Sequence, residues 1–230
     1  MNRFLLYLGM LVLLQTGDAY AEVRYILPSA KSGFPGQEVN IHFSGAINQG
    51  KIVDLQSAID KFNIEEPTAK VINLYINSSG GDMDSGWSGY LAIKSSRIPT
   101  RTIDVAKTDS AATLLYCAST QRYVMDGATF LLHPAAISSS PSQDAKPDEV
   151  NRKKMYLDNL NKYFLRVYRE CTHLNESKIH QILSAEYFSK IVDDAEAIRI
   201  GLAKKILSVE YPPGASAYIY DWPGSAPHPT

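Results

Sequence analysis

The sequence predicts an α/β fold with mostly parallel strands wrapped by helices, and three observations carry that expectation. Short apolar, β-branched runs alternate along the chain with stretches whose apolar residues recur at helical spacing. Glycine-containing turns separate several of the runs from the helical stretches that follow. The stretch Val71–Gly81, VINLYINSSGG, shows the unit most plainly. Val71–Ile76 reads as a buried strand and Asn77–Gly81 as a turn. From Asp82 the residues Met83, Trp87, Tyr90 and Leu91 begin an amphipathic helix.

The elements follow in order. Val39–Phe43 alternates apolar and polar, the mark of a half-exposed strand. Ile52, Leu55, Ile59 and Phe62 predict a helix over 49–63, and the helix that opens at Asp82 runs to about 96, before Pro99. Thr100–Val105 is a third strand and Ser110–Ala118 a helical segment. Arg122–Met125 and Thr129–Leu132 are short strands split by Asp126-Gly127. Residues 135–147 are rich in Ser and Pro and read as a surface loop. A long helix spans about 148–170. Its residues Tyr156, Tyr163 and Tyr168 fall beyond the main apolar stripe and call for a partner surface. Helices over Asn175–Ala185 and Asp194–Ile200, then a strand over Ile206–Val209, complete the series. Tyr211–Thr230 holds five prolines and reads as an extended tail dispensable for folding.

Composition bounds the function. The 230 residues are 45% hydrophobic and 20% charged with net charge −1, which suits one domain with a substantial core. No basic run stands out, so nucleic acid is not an expected partner. Met1-Asn2-Arg3 precedes an apolar run over Phe4–Leu14, and Ala19-Tyr20-Ala21 is a small-x-small cleavage pattern. These features predict a signal peptide over 1–21 and a periplasmic or secreted mature protein. An extended lead-in over 22–36, one domain over 37–209 and the tail over 210–230 would follow. In an oxidising compartment Cys117 and Cys171 can form one disulfide or remain two buried thiols; the sequence leaves both readings open.

Three strand ends hold residues suited to acyl chemistry. Backbone N–H groups at Gly80-Gly81 can face a cavity and hold an oxyanion. Ser110, flanked by Ala111 and Ala112, can cap a helix or present its hydroxyl as a nucleophile. A hydroxyl needs a base, and His133, at the end of Thr129–Leu132 and before Pro134, is the candidate. His42, His173, His180 and His228 lie on an outward strand position, in helical segments and in the tail.

LYINSSGGDMDSG resembles the LYINSPGG segment of the Clp protease proteolytic subunit, ClpP. The order of parts is similar too: glycine turn, Thr102-Ile103, a serine opening a helix, an arginine strand at Arg122, then a strand ending in His-Pro. Ala195–Leu202 is similar to that family's segment ending EYGL, so the resemblance covers about residues 37–208. It implies the ClpP/crotonase-like fold with a projecting long helix, and a serine peptidase rather than an acyl-CoA enzyme. Ser110 then matches the nucleophile, His133 the base, and Gly81 and the Ala111 N–H the oxyanion-hole donors. Counted back from Gly201-Leu202, the family's aspartate falls on Ser189, which carries no charge to stabilise an imidazolium. Asp193 and Asp194 could substitute if the segment shifts, and Asp109 is a less natural orienting group. The resemblance implies peptide or unfolded-protein substrates, a homo-oligomer, and no cofactor or metal. Export argues against an ATPase partner. A peptide- or protein-binding pseudo-enzyme is the alternative.

Overall fold

The computed structural model describes residues 21–27, 38–137, 146–208, 211–212 and 214–221. Residues 1–20 of the stretch read as a signal peptide, most of the 135–147 loop and the last residues of the tail lie outside them. The strands are β1 (Ala21–Ile26), β2 (Glu38–Ser44), β3 (Val71–Ser78), β4 (Thr100–Asp109), β5 (Gln121–Met125), β6 (Thr129–Leu132), β7 (Lys190–Asp193), β8 (Lys205–Leu207) and β9 (Ser216–Asp221). The helices are α1 (Gln49–Glu65), α2 (Met83–Ser95), α3 (Ala112–Cys117), α4 (Pro147–Cys171), α5 (Glu176–Ile182) and α6 (Asp194–Arg199). One sheet runs β1-β9-β2-β3-β4-β5-β8, with β6 pairing β4 and β7 pairing β6. Every pair is parallel except β1–β9 and β6–β7.

Local sequence explains the regular parts. Asn48 caps α1 by accepting the Lys51 N–H at 2.9 Å, and Asp82 caps α2 by accepting the Ser85 N–H at 2.8 Å. Val71–Ile76 is buried throughout, as a central parallel strand must be. The helices pack on the sheet through Leu55, Phe62, Ile93, Leu114 and Leu115, all buried. Elsewhere on the sheet, His42 stacks between Tyr75 and Tyr218 at 4.8 and 4.4 Å, and burial pushes its imidazole down to about 4.

Three expectations need correction. β4 continues past Val105 to Asp109, because once β5 ends its edge is taken up by β6 through Lys107↔Thr129, Thr108↔Phe130 and Asp109↔Leu131. The region read as a tail contains β9, inserted between β1 and β2. Along β9 the buried Ala217 and Ile219 alternate with the half-buried Tyr218 and Tyr220, a period-2 signal that the surrounding prolines obscure. Asp221 at the end of β9 also pairs at 2.5 Å with the fully buried Lys51 ammonium, which donates to the Ser44 carbonyl at 2.8 Å. Finally, Tyr163 and Tyr168 of α4 need no outside partner. Tyr163 stacks on Trp87 at 4.7 Å, and Tyr168 lies in the core with its hydroxyl 2.9 Å from Thr113. The amino-terminal half of α4 does project, with Val150, Met155 and Tyr156 exposed.

Candidate active site

Ser110 stands at the junction of β4 and α3 with φ +55°, the left-handed region that non-glycine residues rarely occupy. Two bonds hold it there. Its N–H donates to the Leu131 carbonyl at 3.0 Å, which extends the β4–β6 ladder by one step. Its carbonyl accepts the Thr113 N–H at 2.9 Å and the Thr113 hydroxyl at 2.6 Å, which starts α3. The Ser110 hydroxyl itself has no hydrogen-bond partner among the described residues and caps nothing. The helix-cap reading of this serine is therefore set aside, and the side chain is presented at a strand-to-helix turn with its hydroxyl uncommitted.

The glycine turn after β3 backs directly onto this serine. A Cβ at Gly80 (φ +88°) would lie 2.6 Å from the Ser110 Cβ and 2.8 Å from the Asp109 carbonyl oxygen, so only glycine lets the two turns touch. Gly81 is paired like a strand residue with Ile47. The Ile47 N–H donates to the Gly80 carbonyl at 2.8 Å and its carbonyl accepts the Asp82 N–H at 3.0 Å. Successive backbone groups of an extended chain point to opposite sides, so the Gly81 N–H faces away from Ile47, and Gly81 is solvent-exposed. Neither this N–H nor that of Ala111 has a hydrogen-bond partner among the described residues. The Ala111 nitrogen is only 3.0 Å from the Cβ position of Gly80. Two unspent donors thus flank the turn that carries Ser110.

Hydrogen bonds and a disulfide pin the nucleophile helix from behind. The Thr113–Tyr168 contact and the Cys117–Cys171 disulfide, Cα–Cα 5.6 Å, fasten α3 to α4. The choice between disulfide and thiols that the sequence left open falls to the disulfide. Arg122, buried on β5, donates to the carbonyls of Ser119, Cys171, Gly201 and Leu202 and so ties the ends of α3 and α4 together.

His133 follows β6 and therefore lies two residues past the carbonyl that holds the Ser110 N–H. Its side chain is 15% exposed. Its Nδ1 lies 3.3 Å from Glu186 Oε2, and the Ser189 hydroxyl donates to Glu186 Oε1 at 3.0 Å. No hydrogen bond joins Ser110 to His133. Asp193 and Asp194 are occupied elsewhere. Asp193 caps α6 through the Glu196 N–H at 2.7 Å, and Asp194 accepts the Gly127 N–H at 2.8 Å. Asp109 lies on β4 beside the nucleophile, its carboxyl pushed up mainly by burial.

The model of the Clp protease family matches residues 36–210. The chain belongs to the Clp protease family. It is similar to an ATP-dependent Clp protease proteolytic subunit from Paracoccus denitrificans, 24% identical over 146 residues that cover 63% of this chain and 70% of that protein. Its fold is similar to that of a ClpP1 mutant from Listeria monocytogenes, with TM-score 0.62, 17% identity, and coverage of 74% of this chain and 91% of that one.

Within this Clp protease fold, Gly81, Ala111, Ser110 and His133 come from three neighbouring strand ends. A cleft of about 490 Å³ opens beside Gly81, lined among others by Met83, Ile137, Tyr156 and Leu160. Ser189 is next to His133 in the β6–β7 register but meets it only through Glu186. Sequence reasoning missed Glu186. The available signal was its spacing of three residues from Ser189, which puts both side chains on one side of a 3-10 turn.

Proposed function

We propose that this chain is an exported serine peptidase that cleaves peptides or unfolded protein without ATP. The observation that carries the reading is the strained turn at Ser110, which presents an unspent hydroxyl between two unspent N–H groups. Strain at a non-glycine residue is retained where the surroundings enforce it, and such positions cluster at active sites. Ser110 Oγ attacks the scissile carbonyl carbon while its proton passes to His133 Nε2. The Gly81 and Ala111 N–H groups hold the oxyanion as it forms. His133 then returns the proton to the leaving amine, and water, activated by the same imidazole, releases the acyl group from Ser110.

Export is supported by the amino-terminal sequence pattern and by the disulfide, since such bonds persist in oxidising compartments. An ATP-driven partner has no nucleotide supply there, so the reading departs from the ATP dependence named for the Paracoccus relative. Assembly into a homo-oligomer belongs to the same proposal, with the projecting half of α4 as the contact. A monomeric mass by light scattering at micromolar concentration would remove that part.

The test is labelling with a serine-directed fluorophosphonate, followed by turnover of an unfolded peptide. The wild-type chain labels, and Ser110→Ala does not. Removing either member of a working Ser–His pair costs on the order of 10⁴–10⁶ in turnover, so Ser110→Ala and His133→Ala each abolish hydrolysis while the fold persists. A second reading, a peptide-binding protein without catalysis, is favoured by the unmade Ser110–His133 bond. It prevails if the wild-type chain neither labels nor cleaves.

A further inference from the structure

We propose that Glu186 is the carboxylate that orients His133, and that Ser189 serves to hold it in place. The inference rests on the reading of His133 as the base. It starts from register. β6 and β7 pair antiparallel with Leu132 opposite Lys190, so one step further places His133 opposite Ser189. A serine there supplies no charge. The chain before it, however, is a single 3-10 turn over Glu186–Phe188, closed by the Ser189 N–H on the Glu186 carbonyl at 3.0 Å. Residues three apart eclipse one another in that geometry, so the Glu186 side chain lies over Ser189 and its carboxylate reaches the same place.

The two carboxylate oxygens divide the work. Oε1 accepts the Ser189 hydroxyl at 3.0 Å and Oε2 faces His133 Nδ1 at 3.3 Å. An ionised carboxylate only accepts, so the shared proton sits on Nδ1 and the Nε2 lone pair is left for the Ser110 proton. His133 is the sole ion-pair partner of Glu186 among the described residues. Asp193 pairs with Thr129, four positions or about 13 Å along β6 from His133. Asp194 is bound to Gly127. Asp109 acts on the imidazole through its charge but makes no hydrogen bond to it, so Glu186 is the carboxylate in contact with Nδ1. The Glu186 side chain is 70% exposed, so solvent screens its charge. Its contribution is therefore smaller than that of a buried triad aspartate.

The experiment compares Glu186→Gln, Ser189→Ala and the double variant Glu186→Gln/Ser189→Asp in the full chain. The readouts are kcat and KM on an unfolded peptide, fluorophosphonate labelling of Ser110, and the ¹⁵N NMR tautomer signature of His133. A charge-assisted hydrogen bond corresponds to about ten- to hundredfold in rate. Glu186→Gln lowers kcat and the labelling rate by that factor with KM within about twofold, and the Nδ1-protonated signature weakens. Ser189→Ala produces a smaller loss of the same kind. The double variant recovers activity, because its aspartate restores a carboxylate opposite His133. Wild-type rates and an unchanged tautomer in Glu186→Gln overturn the proposal while leaving Ser110 and His133 in their roles. If the wild-type chain does not label, the peptidase reading fails instead. The tautomer signature then decides by itself whether Glu186 orients the imidazole.

Discussion

The two sides of the candidate site are built differently. The Ser110 side is enclosed: Ala111 to Ala118 are all buried, Gly80 touches Ser110, and a disulfide and a buried arginine bind α3 to α4. The Glu186 side is a 3-10 turn and a four-residue edge strand at the surface, where Tyr187 and Ile191 are 90% and 74% exposed. A displaced atom on the first side disturbs a close-packed interior, so few sequences satisfy it. On the second side the surroundings are open, and other side chains fit the same place. The difference teaches that the parts of a site tolerate change according to how deeply each is packed.

Removing the disulfide is the sharpest way to break this contrast. In the chain-entropy account, a bridge across a sequence separation of 54 residues contributes about 4 kcal/mol. Cys117→Ala/Cys171→Ala should lower the unfolding free energy by that order in denaturant titration, and labelling of Ser110 should weaken as α3 loosens. The matching surface change, Ile191→Thr, should stay within about 0.5 kcal/mol. Equal losses at the two places would erase the distinction between the sides.

A second test reads the same contrast through pH, one pH unit at a time. Asp104 lies on β4, six residues before Ser110 and fully buried, and burial pushes its carboxyl up to about 8. Unfolded, it would ionise near the ordinary aspartate value of about 4. Between those two pH values the folded chain keeps a proton that the unfolded chain has released. Its share of stability is therefore complete below about pH 4 and falls as pH rises towards 8, with a limiting slope of about 1.4 kcal/mol per pH unit. Asp104→Asn should remove that slope, so the difference in unfolding free energy between variant and wild type should shift steadily in the variant's favour from pH 4 to 8. A constant difference would show that Asp104 ionises in the folded chain as it does in water. His42, which titrates in the opposite sense, is common to both chains and cancels.

What the sequence disclosed follows the same division. Val71–Gly81 was legible because apolar run, glycine turn and Asp82 cap are all local signals. The strand-end places of Ser110 and His133 were legible, since each follows a short apolar run. The contact of Glu186 with His133 was not, because it depends on the β6–β7 register, and a spacing of three from Ser189 signals nothing until the turn between them is known to be a 3-10 turn. β7 was hidden for a related reason: as an edge strand it exposes Ile191 and buries only Val192. β9 was hidden by the prolines around it, and its partners Lys51 and β2 lie 170 and 176 residues away in the chain.

The position of β9 has a bearing on how the molecule is made. Among the described strands β1 is the first to leave the ribosome and β9 the last, and β1 pairs with β9 alone. Until β9 has been made, β1 has no companion, and β2 presents an unpaired rim of N–H and C=O groups that invites pairing with other chains. Contacts between segments so far apart in a chain also form slowly, since a long loop must close first. A chain interrupted before β9 would keep the open rim for good, which makes it a target for aggregation or proteolysis rather than a slightly less stable fold.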